Sequence, residues 1–401
     1  MKRLRVVIAG GGIGGLSAAL SLASKGIEVH VLEQAAAFTD VGAGIQLSPN
    51  ATRVLFSLGL EATLEAVAFT PVSGETRDAK TGNALAEFPL GRAVEARFGF
   101  PFLQIHRHDL IALLAEAARA HRSIMLDTNS RVTGFEARDG GVCVLRADQE
   151  VAPADALIGA DGVHSVVREA LFGPESPRFT GNIAWRALIP ATQLPAGLVH
   201  PKATVWWGAG RHFVHYYVRR GELVNCVCVV EKTGWEVESW SERGEFEELK
   251  AEFAGWHKDI QTLINAMDRD SLYKWALFDR PPMAAWGRGR VSLLGDACHP
   301  TLPFMAQGAA MAIEDGAVLA RCLSEARAGI EVPAALERYS ALRRARTAHI
   351  QKSSMRSGRL YHMRGLSARL RNVALRARRP KSPWDGIYSY NALLARSGRE
   401  P

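Results

Sequence analysis

The chain offers little sulfur chemistry: five cysteines in 401 residues, with no C-x-x-C among them. That odd, scattered set indicates neither a disulfide framework nor a zinc site. Cys226 and Cys228 alternate with Val224 and Val230, which marks them as small apolar fillers on one face of a strand. No run approaches the roughly 18 uninterrupted apolar residues of a membrane-spanning helix. The opening Met1-Lys2-Arg3-Leu4-Arg5, followed by Val6-Val7-Ile8-Ala9, has the charge of a secretory leader. Glycines at 10, 11, 12, 14, 15 and 26 break any apolar core there, and no cleavage-like segment follows. The expectation is a soluble cytoplasmic protein. A hydrophobic fraction of 47% is far too high for a disordered chain. At roughly 100–200 residues per domain, the length suits two or three domains or one large α/β unit with insertions.

Acidic residues are absent from 343 to 381, a stretch holding thirteen Lys and Arg. The net charge of +8 is therefore local, and the rest of the chain is net negative. Leu360, Leu366, Leu370, Val373 and Leu375 recur there at roughly helical spacing. The stretch reads as one or two amphipathic helices with basic outer faces, a solvated surface or subunit contact rather than a nucleic-acid module.

What is present is concentrated at the start. Leu4 to Ala9 is a short β-branched run, Gly10-Gly11-Gly12-Ile13-Gly14-Gly15 follows, and an Ala/Leu/Ser run to Lys25 is helical in composition. Gly26 ends that helix, and Ile27 to Leu32 forms a second strand closing at Glu33. Glycines 10, 12 and 15 match G-x-G-x-x-G inside a βαβ unit of about 30 residues, with an acid ending the second strand. Gly10 permits the tight turn, Gly12 lets backbone N–H groups approach a pyrophosphate, and Gly15 lets the helix pack closely. The helix N-terminus adds its positive dipole end. Glu33 stands where it can accept hydrogen bonds from an adenosine ribose. The pattern predicts dinucleotide binding, and no second G-x-G-x-x-G provides a separate nicotinamide domain.

Two further segments end strands with acids. Ala154-Asp155-Ala156-Leu157-Ile158-Gly159-Ala160-Asp161-Gly162 leads to a helix capped by Ser165, with Arg168 one turn in. Arg290 to Leu294 is a buried strand ending in Gly295-Asp296; a proline-rich loop then leads into a helix from Gly308 to about Ala328. Its first amides, around Gly308 and Ala309, would face something electron-rich.

With Gly42-Ala43-Gly44-Ile45-Gln46-Leu47-Ser48-Pro49-Asn50 and Ile105-His106-Arg107-His108-Asp109-Leu110, these motifs resemble the single-component FAD-dependent aromatic hydroxylases. The likeness runs from Arg5 to about Tyr390. It is nearest to the bacterial hydroxylases of salicylate, 3-hydroxybenzoate and 6-hydroxynicotinate. The resemblance implies an α/β fold: a Rossmann-like FAD-binding domain, an inserted, mostly antiparallel sheet that receives substrate, and a C-terminal helical segment. The expected divisions are FAD-binding parts at 1–75, 103–180 and 281–330, substrate-domain parts at 76–102 and 181–280, and basic helices at 331–401. It implies FAD as cofactor, NADH or NADPH as transient co-substrate, O2, a small aromatic substrate, and a monomer or homodimer. Gly10, Gly12, Gly14, Gly15, Glu33, Gln34, Gln46, Arg107, Val132, Asp161, Asp296, Gly308 and Ala309 would hold FAD. Of these, Arg107 would serve the pyrophosphate, Asp296 the ribityl chain and phosphate, and Asp161 both FAD and the visiting nicotinamide.

Hydroxylation by a flavin C4a-hydroperoxide is electrophilic attack, and an ionised phenol is the better nucleophile, so a base near the substrate hydroxyl is needed. In His212-Phe213-Val214-His215-Tyr216-Tyr217, strand alternation puts His212, Val214 and Tyr216 on one face and His215 and Tyr217 on the other. The resemblance makes His212 the residue that takes or relays the proton and Tyr216 the one that orients the phenol. Gln46, Ala203, Pro303 and Phe304 would complete the pocket. The hydroxynicotinate enzymes carry histidines where this chain has Gln46 and Phe304, and a cysteine where it has Ala203. That difference favours a benzoate or other phenol over a ring-nitrogen substrate. His299 is expected to brace its loop as readily as it contacts substrate, and Arg186 is a candidate partner for a substrate carboxylate. Three other readings stand beside this one. Trp185-Arg186-Ala187-Leu188-Ile189-Pro190 faintly resembles a flavin-halogenase motif, but the second tryptophan is missing and Lys80 lacks the expected surroundings. A basic nucleic-acid or membrane-surface module built on residues 343–381 would bind with a steep salt dependence, and a flavoprotein keeping FAD as structure only would show no substrate-stimulated reduction.

Overall fold

The computed structural model describes residues 3–38, 43–147, 149–232, 234, 242–326, 330–377 and 384–395. Gly42 of the Gly42–Asn50 motif, and Arg378, Arg379 and Lys381 of the basic stretch, lie outside them. The β-branched run Arg5–Ala9 is the central strand of a six-stranded sheet, with Val6 to Ala9 each at most 1% exposed. Helices cover such a sheet on both faces, which is why its strands are continuously apolar. In space the order is Gly287–Arg288, Val291–Leu293, Ala156–Gly159, Arg5–Ala9, Glu28–Leu32 and Ile124–Asp127, parallel apart from the first pair. The chain leaves the central strand on one side and later returns to the other, so a crevice opens beyond the carboxyl ends of the strands.

A seven-stranded sheet stands beyond that crevice. Its order is Tyr273–Asp279, Arg178–Pro190, Leu223–Glu231, Arg211–Val218, Lys202–Gly208, Ser73–Asp78 and Ala84–Pro89. It is antiparallel throughout except where Lys202–Gly208 pairs in parallel with Ser73–Asp78. The expected divisions at 75/76 and 180/181 fall inside two of these strands. The resemblance implies the order of the parts, whereas sheet pairing decides where each strand begins and ends. One face packs Ile183, Trp185, Phe213, Cys226 and Cys228 against Phe246, Leu249, Ile260 and Leu263 of two short helices. Trp185, the residue behind the halogenase comparison, is thus a core residue on the covered side. His215 is on that side too, accepting a hydrogen bond from Trp206 Nε1 at 3.0 Å. The other face carries His212, Tyr216 and Arg186.

The helix opening at Gly308 ends at Ser324, one turn short of the expected Ala328. Val332–Tyr361 then crosses the molecule, and Gly365–Ala377 follows it. The basic stretch is helical as expected, but its faces are not. Arg343 has no exposed side-chain surface and Arg371 is buried, whereas Leu366, Leu370 and Val373 are exposed. Charge counting could not separate them, because a guanidinium enters the core wherever carboxylates and carbonyls meet it. Arg371 lies over the Trp207 ring and donates to the Tyr361 carbonyl.

Arg343 meets Glu314 at 2.6 Å and Asp315 at 2.7 Å, both carboxylates being fully buried. Burial alone would push both carboxyls up. The guanidinium charges of Arg346 and Arg343 beside Glu314, and the His299 and Arg343 charges beside Asp315, hold them below their usual range. Removing one partner of such a cluster leaves a buried charge uncompensated. Arg343→Met is therefore expected to cost about 3–5 kcal/mol in urea unfolding. Lys352→Met on the exposed side of the same helix should change stability by under about 0.5 kcal/mol.

Candidate active site

Four strand ends define one rim of the crevice. Gly10, Glu33, the Ala160-Asp161 turn and the Gly295-Asp296 turn follow adjacent parallel strands, and backbone bonds stitch them together. Gly10 N–H donates to the Leu32 carbonyl, Ala160 N–H to Ala9, and Leu294 N–H to Gly159. Motifs almost 290 residues apart thus stand side by side. Glu33 is pinned by the N–H groups of Gly11 (2.6 Å) and Ala35 (2.8 Å), leaving lone pairs on both carboxylate oxygens for a further donor. Gln34 beside it is exposed. Ser130 N–H donates to the Glu33 carbonyl, which brings Val132, the first residue of the next strand, to the same end of the crevice.

The glycines divide by what a methyl group would meet. At Gly10, where φ is +103°, a Cβ would lie 2.4 Å from the Ala160 carbonyl oxygen, and at Gly15 2.0 Å from that of Gly10. At Gly14 it would press on Leu294 and Ala312. At Gly12, the N-cap of the first helix, a Cβ would meet nothing within 4 Å. Folding demands glycine at 10 and 15. At 12 only something outside the protein can demand it, and a pyrophosphate drawn onto the uncapped amides fits that space.

Asp296 supplies a second observation. It is solvent-open although every other residue from Val291 to Pro300 is buried. The protein packed around it nevertheless raises its carboxyl pKa, against the opposing charges of His299 and Arg107. An acid that is surrounded yet open lines a cavity. Arg107 begins the helix Arg107–Ala120, and its N–H donates to the Ala43 carbonyl beside the strand Gly44–Leu47 that carries Gln46. Asp161 faces the crevice less freely, since its carboxylate accepts from Ser165 Oγ (2.5 Å) and the Val167 N–H (3.1 Å). Burial still pushes its pKa up. Together, the Gly12 space, the Asp296 cavity and the half-open first-turn residues Gly308 and Ala309 fit a long, anionic, ring-bearing cofactor.

The loop before Gly308 reaches the seven-stranded sheet. Ala306 has a left-handed backbone, φ 51° and ψ 36°, which costs a non-glycine residue about 1 kcal/mol or more. Pro303 is exposed and Phe304 buried. The Phe304 ring meets His212 edge-on with centroids 5.2 Å apart. Tyr361 from the long C-terminal helix donates its hydroxyl to the Phe304 carbonyl at 3.0 Å and contacts His212 at 5.4 Å. Gly358 gives the phenyl ring room, since a Cβ there would lie 2.4 Å from it. Tyr216 is buried, and its strand neighbour Asn225 accepts the Gly44 N–H at 2.7 Å, tying sheet to crevice. Ala203 joins a separate patch with Met305, Phe102 and Tyr388. His299 braces its loop, its Nε2 being 2.6 Å from Asp315. Arg186 lies on the His212 face, its guanidinium over Tyr273 and Trp275.

Burial holds the His212 imidazole well below its ordinary 6.5, helped by the neighbouring His362, so the ring is neutral at pH 7. His362, Glu231, Tyr361 and Asn225 have no local sequence signal. They matter here because of partners 57 to 181 residues away.

These features define a flavin-dependent monooxygenase acting on aromatic rings, and comparison with known proteins agrees. Residues 3–354 match the FAD binding domain family, and the chain belongs to it. It is 40% identical over 354 residues to 6-hydroxynicotinate 3-monooxygenase of Pseudomonas fluorescens, covering 87% of this chain and 90% of that one. It is 39% identical over 393 residues to 3-hydroxybenzoate 6-hydroxylase of Polaromonas naphthalenivorans, covering 97% and 96%. A salicylate hydroxylase substrate complex superposes with a TM-score of 0.82 at 26% identity, covering 97% and 96%. FAD is the cofactor, and NAD(P)H and O2 are the co-substrates.

Gly12→Ala should leave the apoprotein's melting midpoint within about 2 °C of wild type and weaken FAD binding about tenfold or more. Gly15→Ala should lower the midpoint itself. Flavin content after gel filtration, read with apoprotein melting curves, checks both.

Proposed function

We propose that the enzyme hydroxylates a hydroxybenzoate-like ring of the salicylate or 3-hydroxybenzoate class, working in the cytoplasm as a monomer or homodimer. The observation that carries this reading is the neutral, buried His212 facing Phe304, at the junction of the FAD crevice and the seven-stranded sheet. Five free, buried cysteines suit a reducing compartment.

Gly10, Gly12, Gly14, Gly15, Glu33, Gln34, Arg107, Val132, Asp161, Asp296, Gly308 and Ala309 would hold FAD, with Gln46 between it and substrate. When bound, FAD accepts reducing equivalents from NAD(P)H and activates O2. The protein's own part is to bind, dry and deprotonate the phenol. Phe304, Tyr361, Trp207 and the Tyr216 ring give the substrate side an apolar lining that excludes water. His212 Nε2 takes the phenolic proton, which raises electron density on the ring, and Tyr216 orients the hydroxyl. Burial pushes the Tyr216 pKa up, so it stays a neutral hydroxyl able to donate and accept. Gln46 and Phe304 offer nothing charged to a ring nitrogen, which favours a carbocyclic substrate over the hydroxynicotinate alternative.

A panel of salicylate, 3- and 4-hydroxybenzoate and 6-hydroxynicotinate, scored for stimulated NAD(P)H oxidation and for product mass, tests the reading. Salicylate or 3-hydroxybenzoate is expected to give a hydroxylated product. Turnover of 6-hydroxynicotinate alone would move the assignment to pyridines. His212→Ala should keep FAD and lose most coupled hydroxylation.

A further inference from the structure

A chain of three side chains leads from the pocket to the surface. His212 Nδ1 lies 2.7 Å from His362 Nε2, and His362 Nδ1 lies 3.0 Å from Glu231 Oε1. Both imidazoles are buried, whereas the Glu231 side chain is 40% exposed. Glu231 ends the strand Leu223–Glu231, and His362 caps the helix Val332–Tyr361, 150 residues from His212.

The chain of bonds has one consistent set of proton positions. An ionised carboxylate can only accept, so His362 must carry its proton on Nδ1. Its Nε2 is then an acceptor, so the hydrogen in the 2.7 Å bond belongs to His212 Nδ1. His212 Nε2 is left with a bare lone pair, and it makes no hydrogen bond among the described residues. A second acceptor thus fixes the tautomer of the first imidazole at two bonds' remove, as a carboxylate does for a metal-bound or nucleophile-paired histidine.

We infer that Glu231 and His362 set His212 as the base and carry its proton out of the pocket. The inference rests on the proposed role of His212. The substrate O–H bond breaks and an N–H bond forms at His212 Nε2. The Nδ1 proton of His212 passes to His362 Nε2, and the Nδ1 proton of His362 passes to Glu231, which releases it to water. No electrons move between molecules, and each imidazole ends neutral. Glu231 and His362 touch no reacting atom; they are positioning and relay residues. Other charged or titratable groups around the chain are Arg364, 2.6 Å from Glu231, Arg211 with its partner Glu252, Tyr361 against His212, and Arg371 behind Trp207. Burial lowers the pKa of His362, and the Glu231 charge opposes that shift. Wild-type turnover is therefore expected to stay level from pH 8 to below 6.5 and to fall as the pair gains a proton.

The test uses FAD-loaded enzyme with 3-hydroxybenzoate as the probe, in wild type, His212→Gln, His362→Gln, Glu231→Leu and Glu231→Asp. His362→Gln and Glu231→Leu are expected to keep FAD content and probe affinity within about twofold, and to lose about 10²-fold in kcat at pH 7. Their rates should climb with pH towards the ionisation of an unassisted phenol, near about 10, and Glu231→Asp should recover part of the loss. Separately, 15N-histidine spectra of the ring nitrogens, assigned through His212→Gln, should show His212 protonated at Nδ1 and bare at Nε2. That readout needs no substrate. His212 protonated at Nε2 in the wild type overturns the inference, whatever the rates. Wild-type rates and pH profile in His362→Gln and Glu231→Leu, with His212→Gln slow, overturn the relay alone. Wild-type rate in His212→Gln overturns the base itself.

Discussion

The ion cluster of Arg343 with Glu314 and Asp315 is the constraint from which the crevice is built. Asp315 also accepts the Gly295 N–H at 3.2 Å and holds His299, so it sets the turn that presents Asp296. Glu314 accepts from Asn50 at 2.6 Å, and Asn50 shares a buried hydrogen-bonded ring with Ser48 and Gln307, the N-cap of the helix opening at Gly308. One guanidinium therefore fixes four pieces relative to one another: the Gly295–His299 turn, the helix after Gln307, the start of the Pro49–Ser57 helix and the long C-terminal helix. Buried ion pairs are poor sources of net stability when set against apolar packing. Their directionality suits a site whose walls come from distant parts of the chain.

The long helix Val332–Tyr361 does more than cover the FAD-binding sheet. Gln351 donates to the Pro300 carbonyl, Ser354 to Leu302 and Tyr361 to Phe304. These donors, one turn and then two turns apart, grip alternate carbonyls of a loop that has little regular structure of its own. A loop that must carry a left-handed Ala306 needs such support, because the strained residue persists only where its neighbours over-determine it. Gly358 opens the one gap into which the Phe304 ring fits. The helix, the loop and the histidine strand thus form a single packed unit.

Legibility in the sequence followed the range of the interactions. The βαβ unit was readable because its periodicity, its glycines and Glu33 all act within about 30 residues. The faces of Arg211–Val218 were readable because strand alternation is local, and His212 and His215 do point to opposite sides. Resemblance brought the Asp161 and Asp296 turns into one site, which no local pattern could do. Arg343 and Arg371 were hidden by their company, since thirteen cations in one stretch read as a surface until partners from elsewhere are placed against two of them. The divisions at 75/76 and 180/181 came with the resemblance, and long-range strand pairing runs through both.

The glycine motif shows why a pattern match and a site differ in kind. Gly10 and Gly15 are required by the folded chain, one by its positive φ and a carbonyl at 2.4 Å, the other by a carbonyl at 2.0 Å. A protein that never bound a nucleotide would need both to make this turn. Gly12 has room to spare, so its place in the motif refers to a molecule outside the polypeptide. The same distinction applies across the crevice. The Asp315 carboxylate is taken up by His299, Arg343 and the Gly295 N–H, whereas Asp296 and the Nε2 of His212 keep acceptor capacity that the described residues do not consume. Asp296 is solvent-open, and both acceptors remain free to meet a donor that arrives from outside the chain. Where such acceptors line a rim shared by four strand ends and a helix N-terminus, a bound cofactor and a phenolic hydroxyl are the donors that suit them.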